Sequence, residues 1–209
     1  MKLGFADTYP SVPVFFTELF SQRYNVIRDD ENPDYLIFGD RNFGTSNERF
    51  NDRNVIKIFF TGENQRPWDY HCHYALSYDH MDNDRQMRFP HYVIYEHDDN
   101  VMYRNKRSPE DLAEIRNKGF CSFIQKNPYA EKRNWYFHEL SKYAPVASAG
   151  PLFNNMDGWR PDSVVEKVKF MSNYKFNLCF ENSSYPGYCT EQLFEALCAK
   201  TVPIYWGSP

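Results

Sequence analysis

Two compact apolar runs that each close on a glycine, Tyr35-Leu36-Ile37-Phe38-Gly39 and Val55-Ile56-Lys57-Ile58-Phe59-Phe60-Thr61-Gly62, constrain the fold of this chain more than any other feature. Their residues are apolar in succession rather than in alternation, as in strands buried on both faces between the helical layers of a parallel sheet. Strand-like runs at Lys2 to Phe5 and Tyr74 to Tyr78 flank them, and Tyr24 to Ile27 is a further strand start. Val14 to Tyr24 reads as an amphipathic helix with Phe15, Phe16, Leu19 and Phe20 on one face. Short strands separated by helical or polar spacers predict an α/β architecture with a mainly parallel sheet.

The pattern resumes beyond a highly charged segment from Asp98 to Gly119, which reads as a solvated helix or surface insert. Phe120 to Ile124 is again strand-like, Ala130 to Tyr143 is helical, and the small residues from Val146 to Gly150 read as a linker. After it come a helix over Ser163 to Met171, a strand over Phe176 to Phe180, a helix over Thr190 to Lys200 and a strand over Val202 to Trp206. Strand, helix and strand in that order form a β–α–β unit, the seed of a doubly wound sheet.

Charge narrows the range of partners. With Lys+Arg 24 against Asp+Glu 28 in 209 residues, the formal charge is −4, which argues against nucleic acid or an anionic membrane as the main partner. No stretch approaches 18 apolar residues, and the amino terminus meets Asp7 and Pro10 before an apolar run develops, so a soluble chain without a secretion signal is expected. Five scattered cysteines without C-x-x-C spacing are expected to be reduced, as in a cytosolic setting.

The most informative segment is Tyr174-Lys175-Phe176-Asn177-Leu178-Cys179-Phe180-Glu181-Asn182-Ser183-Ser184-Tyr185-Pro186-Gly187-Tyr188-Cys189-Thr190-Glu191-Gln192-Leu193-Phe194-Glu195-Ala196, followed by Val202-Pro203-Ile204-Tyr205-Trp206-Gly207-Ser208-Pro209. It reads as a strand, a polar loop and a helix with Thr190 as its N-cap, and the N–H groups at such a helix start suit an anion such as a diphosphate. The segment resembles the signature of the α-1,3/1,4-fucosyltransferases, which use GDP-fucose. Phe120-Cys121-Ser122-Phe123 with Asn127-Pro128 and Arg133-Asn134 resembles a second block of that family, and Phe60-Thr61-Gly62-Glu63-Asn64, with Tyr74 to Asp79 and Arg88-Phe89-Pro90, a third.

The resemblance implies two Rossmann-like domains of GT-B type. Residues 1–150 would form an acceptor-side domain and 151–209 the start of a GDP-fucose-binding domain that is incomplete. It makes Glu63 the general base of an inverting transfer, a reaction that needs a carboxylate opposite the leaving group. Arg133 becomes the arginine that pairs with the diphosphate, and Asn182, Tyr188 and Glu191 line the donor pocket. The implied partners are GDP-fucose and an oligosaccharide acceptor. The resemblance requires no cofactor and leaves divalent-metal stimulation open. It is to the bacterial branch, which implies a cytoplasmic or membrane-peripheral location; for a catalytic fragment of a eukaryotic member the location would be the Golgi.

The chain departs from the family pattern at Gln192, where lysine is usual, and loses a point cation for the diphosphate unless Lys126 or Lys132 replaces it. That departure and the short second half keep a non-catalytic remnant or glycan-binding fragment as the alternative. Asp82-Asn83-Asp84 reads as a surface loop, and His71-Cys72-His73 has no further ligand cluster, so no metal site is expected.

Overall fold

The computed structural model describes residues 1–95 and 114–209. It divides into two compact units, Met1–His97 with Pro186–Tyr188, and Asp98–Tyr185 with Cys189–Pro209. The division differs from the boundary expected at 150/151: the strand Gly119–Phe123 and the supposed linker both belong to the second sheet.

The first sheet contains β1 (Lys2–Ala6), β2 (Ile27–Arg28), β3 (Tyr35–Phe38), β4 (Ile56–Phe60), β5 (Tyr74–Ser77) and β6 (Gln86–Arg88), in the order β2-β1-β3-β4-β5-β6. Every pairing is parallel, with Gly4 opposite Leu36, Ile37 opposite Ile58 and Phe59 opposite Ala75. The continuous apolar runs are explained by burial on both faces. Ile37 and Phe60 join Phe5, Phe15 and Phe16 in one cluster, while Leu36, Phe38 and Phe59 join Phe50 and Val55 in the other. Each phenylalanine so buried contributes about 1.5–3 kcal/mol. Lys57 interrupts the run and is itself buried; its Nζ donates to Asn47 Oδ1 (2.9 Å) and Asn51 Oδ1 (2.6 Å), and burial pushes its pKa down.

Helix α1 spans Ser11–Ser21 and starts three residues before the expected Val14. Pro13 is no obstacle there, because the first-turn N–H groups have no partner within a helix. A short helix, α2 (Tyr92–Tyr95), closes this part of the chain. The charged insert expected over Asp98 to Gly119 lies mostly outside the described residues; within them Ile115–Asn117 forms one 3-10 turn.

The second sheet has the order β10-β9-β7-β8, all parallel, with β7 (Gly119–Phe123), β8 (Val146–Ser148), β9 (Tyr174–Leu178) and β10 (Val202–Ile204). The segment read as a linker is β8: Val146 pairs with Cys121, and Val146 and Ser148 are buried. Small residues hid this edge strand, since pairing with β7 rather than propensity makes it a strand. Helices α3 (Glu131–Tyr143), α4 (Val164–Met171) and α5 (Glu191–Cys198) lie where helices were expected. Ser163 caps α4 by accepting from Glu166 N at 3.2 Å, while Glu166 Oε2 accepts from Asp162 N. Cys121, Phe123, Phe137, Val146, Leu178 and Phe180 form the core. Burial pushes the Cys121 thiol up to about 12, which leaves it unreactive.

Candidate active site

Glu63 stands at the carboxyl edge of the first sheet, where open parallel sheets place their ligands. The turn that puts it there begins where β4 ends. Thr61 Oγ1 donates to Asp40 Oδ2 (2.9 Å) beyond β3, and Glu63 N donates back to Thr61 Oγ1 (2.9 Å). The carboxylate is half-buried, and Tyr9, from the β1–α1 loop, donates its hydroxyl to Glu63 Oε1 at 3.0 Å. The Tyr9 ring is wedged between Phe43 (centroids 4.2 Å) and the buried His91 (4.6 Å, stacked at 29°). Beside it Arg66 binds Asn64 and pairs with the buried Asp79 beyond β5. Loops after four strands thus converge on the Thr61-Gly62-Glu63 turn and its surroundings.

Tyr188 belongs to this unit. It is 1% exposed, and its ring meets Tyr78 edge-on at 4.9 Å; the Tyr78 hydroxyl donates to Gly62 O at 3.3 Å. Gly187 makes the approach possible: its φ is +88°, and a Cβ would collide with the Tyr78 carbonyl oxygen.

The second unit holds the other four expected residues. Arg133 lies on α3 and is fully buried; its Nη1 donates to Phe180 O (3.2 Å) and Nη2 to Asn127 O (3.1 Å). Asn182 and Glu191 are half-buried and follow Glu181 and Thr190, two residues that bind each other directly. Gln192 accepts from Gln125 and lines a small cavity with Asn177, Lys167 and Glu195, closed by Ile124 and Met171. Of the two expected substitutes for a lysine at 192, Lys126 is exposed and Lys132 lies over the Trp206 ring at 4.3 Å. The cation at the Gln192 cavity is instead Lys167 of α4, paired with the buried Glu195.

Sequence reasoning also missed a role for Glu181 and Tyr9. Glu181 is fully buried, and burial pushes its carboxyl up to about 7, against the bonds from Thr190. A carboxylate after an apolar strand was the available signal for Glu181; nothing in the sequence links Tyr9 to Glu63. Thr190 precedes α5 in extended geometry, as an N-cap does, yet its side chain makes no capping bond to the helix. Asp82, Asn83 and Asp84 are exposed, and among the described residues no cluster of three metal-ligating side chains occurs. His73 Nδ1 accepts from Lys57 N at 3.0 Å. No described helix is long and apolar enough to cross a membrane.

Two parallel α/β sheets with polar residues gathered at their carboxyl edges define a doubly wound Rossmann-like protein. The model of the alpha-(1,3)-fucosyltransferase FucT N-terminal domain matches residues 3–95, and that of the glycosyltransferase family 10 (fucosyltransferase) C-terminal part matches 113–209. The chain is 32% identical, over 91% of its length, to the alpha-(1,3)-fucosyltransferase FucT of Helicobacter pylori, and covers 46% of that protein. It thus spans about half the length of this curated relative. Two solved structures cover all of it at 29% identity: an alpha1,3-fucosyltransferase at TM-score 0.78 and an alpha1,3-fucosyltransferase with GDP-fucose at 0.76, the chain spanning 69% of each. The chain belongs to the fucosyltransferase family of glycosyltransferases.

Proposed function

We propose that this chain transfers L-fucose from GDP-fucose to a hydroxyl of an N-acetylglucosamine or glucose unit of a glycan, in α-1,3 or α-1,4 linkage and with inversion at the anomeric carbon. The observation that carries the reading is the Glu63 carboxylate, held at a sheet edge by Tyr9 in a chain of fucosyltransferase ancestry. Glu63 takes the proton of the acceptor hydroxyl as its oxygen bonds to the anomeric carbon. The bond from that carbon to the phosphate oxygen breaks on the opposite face, and GDP leaves with the electron pair.

The second unit supplies the donor side in this reading. The N–H groups opening α5 face the diphosphate, and Asn182 and Glu191 bind hydroxyls of ribose or fucose. Arg133 has no exposed surface, so it pairs with the diphosphate only if the loops at Asn127 and Phe180 shift; in place it holds those loops together. Gln192 offers neutral bonds where a lysine would offer charge.

The test is incubation with GDP-fucose and a panel of glucose- and N-acetylglucosamine-containing oligosaccharides, with products followed by mass spectrometry and the new linkage and anomer read by NMR. A fucosylated product in the inverted configuration is expected. Glycan binding without product across the panel would favour the non-catalytic fragment.

A further inference from the structure

Thr190 does not act as the helix cap its sequence suggests. Its N–H donates to Glu181 Oε1 and its hydroxyl to Glu181 Oε2, both at 2.7 Å, and it sits in the extended region at φ −93°. An N-cap threonine ordinarily accepts a bond from the first turn of its helix. Here that side chain is turned towards the preceding strand, and the capping bond is not made.

Glu181 is bound on its other side too. Its N–H donates to Trp206 O at 2.8 Å, beyond β10, and the preceding carbonyl, Phe180 O, accepts from Arg133. Gly207 passes so close that a Cβ there would strike Glu181 Cγ, and its carbonyl accepts from Ser184 Oγ at 2.6 Å. One fully buried carboxylate residue therefore ties the end of β9, the segment after β10 and the start of α5, and closes the loop 182–189 at both ends.

We propose that Glu181 is a positioning residue for nucleoside diphosphate binding: by holding both donors of Thr190 it fixes the loop 182–189 and turns the first N–H groups of α5 towards the ligand instead of towards a side-chain cap. The inference rests on the donor-side reading given above. A buried acceptor that takes two bonds from one residue sets that residue's orientation, and the cost of moving it is that of leaving a buried polar group unsatisfied.

Three variants test it: Thr190→Val, which removes the hydroxyl at constant shape, Thr190→Ser, which keeps it, and Glu181→Gln. Each is compared with the parent chain by GDP titration calorimetry and by amide hydrogen exchange of the unliganded protein at pH 8. Amides of 183–193 are expected to exchange about tenfold faster in Thr190→Val and Glu181→Gln, with GDP bound about tenfold more weakly, and Thr190→Ser is expected to match the parent. Thr190→Ser separates loss of the bond from general damage at the site. Unchanged exchange in Thr190→Val, or faster exchange with unaltered GDP affinity, overturns the role of Glu181. A parent chain that does not bind GDP overturns the donor reading itself and this role with it, a result visible before any variant is compared.

Discussion

The hydroxyl of Tyr9 donates to Oε1 of Glu63 at 3.0 Å, across 54 positions of sequence. The two residues leave the sheet after β1 and β4, strands that are separated by β3, so only the parallel winding brings them together. The bond fixes the orientation of the carboxylate, which a general base needs in order to meet the proton it takes.

Tyr9→Phe is expected to lower kcat about tenfold, with KM for GDP-fucose and the melting temperature little changed. The ring keeps its packing between Phe43 and His91, so a large loss of stability would assign Tyr9 to structure instead. Donor hydrolysis in water serves as the assay where an acceptor is lacking.

Glu63→Gln is expected to reduce transfer by about 10²–10⁴-fold while leaving GDP affinity as it was. Calorimetry and turnover on the same preparation read both quantities. Full turnover in this variant would remove Glu63 from the base role.

At the helix start, Gln192→Lys is expected to strengthen GDP binding about threefold and make it more sensitive to salt, since it adds a point charge beside polar donors. Lys167 lies at the same cavity but is neutralised by Glu195. Weaker binding in Gln192→Lys would show that repulsion from Lys167 outweighs the gain.

The Glu181 carboxyl gives stability a pH dependence of definite sign. Burial, reinforced by Glu191 and opposed by the Thr190 bonds and Arg133, raises it to about 7. At pH 6 the folded chain holds a proton that the unfolded chain has released. This contribution is therefore fully present below the ordinary glutamate range and is lost as pH rises through 7, by about 3 kcal/mol in total. Urea unfolding at pH 5 to 8 is expected to show that decline in the parent chain and a flatter profile in Glu181→Gln; parallel profiles would contradict it.

The sequence by itself determined the local layers. Runs such as Tyr35 to Phe38 and Ile56 to Phe60 are apolar at every step or nearly so, and only burial on both faces of a parallel sheet accommodates that. It also revealed family membership, because the strand–loop–helix from Tyr174 to Ala196 carries an uncommon string of residues. Tertiary structure alone decided the placement of β8, in which Val146 is the one residue with a strand preference and pairing with β7 does the rest. It decided that Arg133 lies buried on main-chain carbonyls, that Thr190 binds Glu181 in place of its own helix, and that Tyr9 meets Glu63. Hydrogen bonds between residues far apart in sequence leave no periodicity to read, since their geometry exists only after the strands have been ordered.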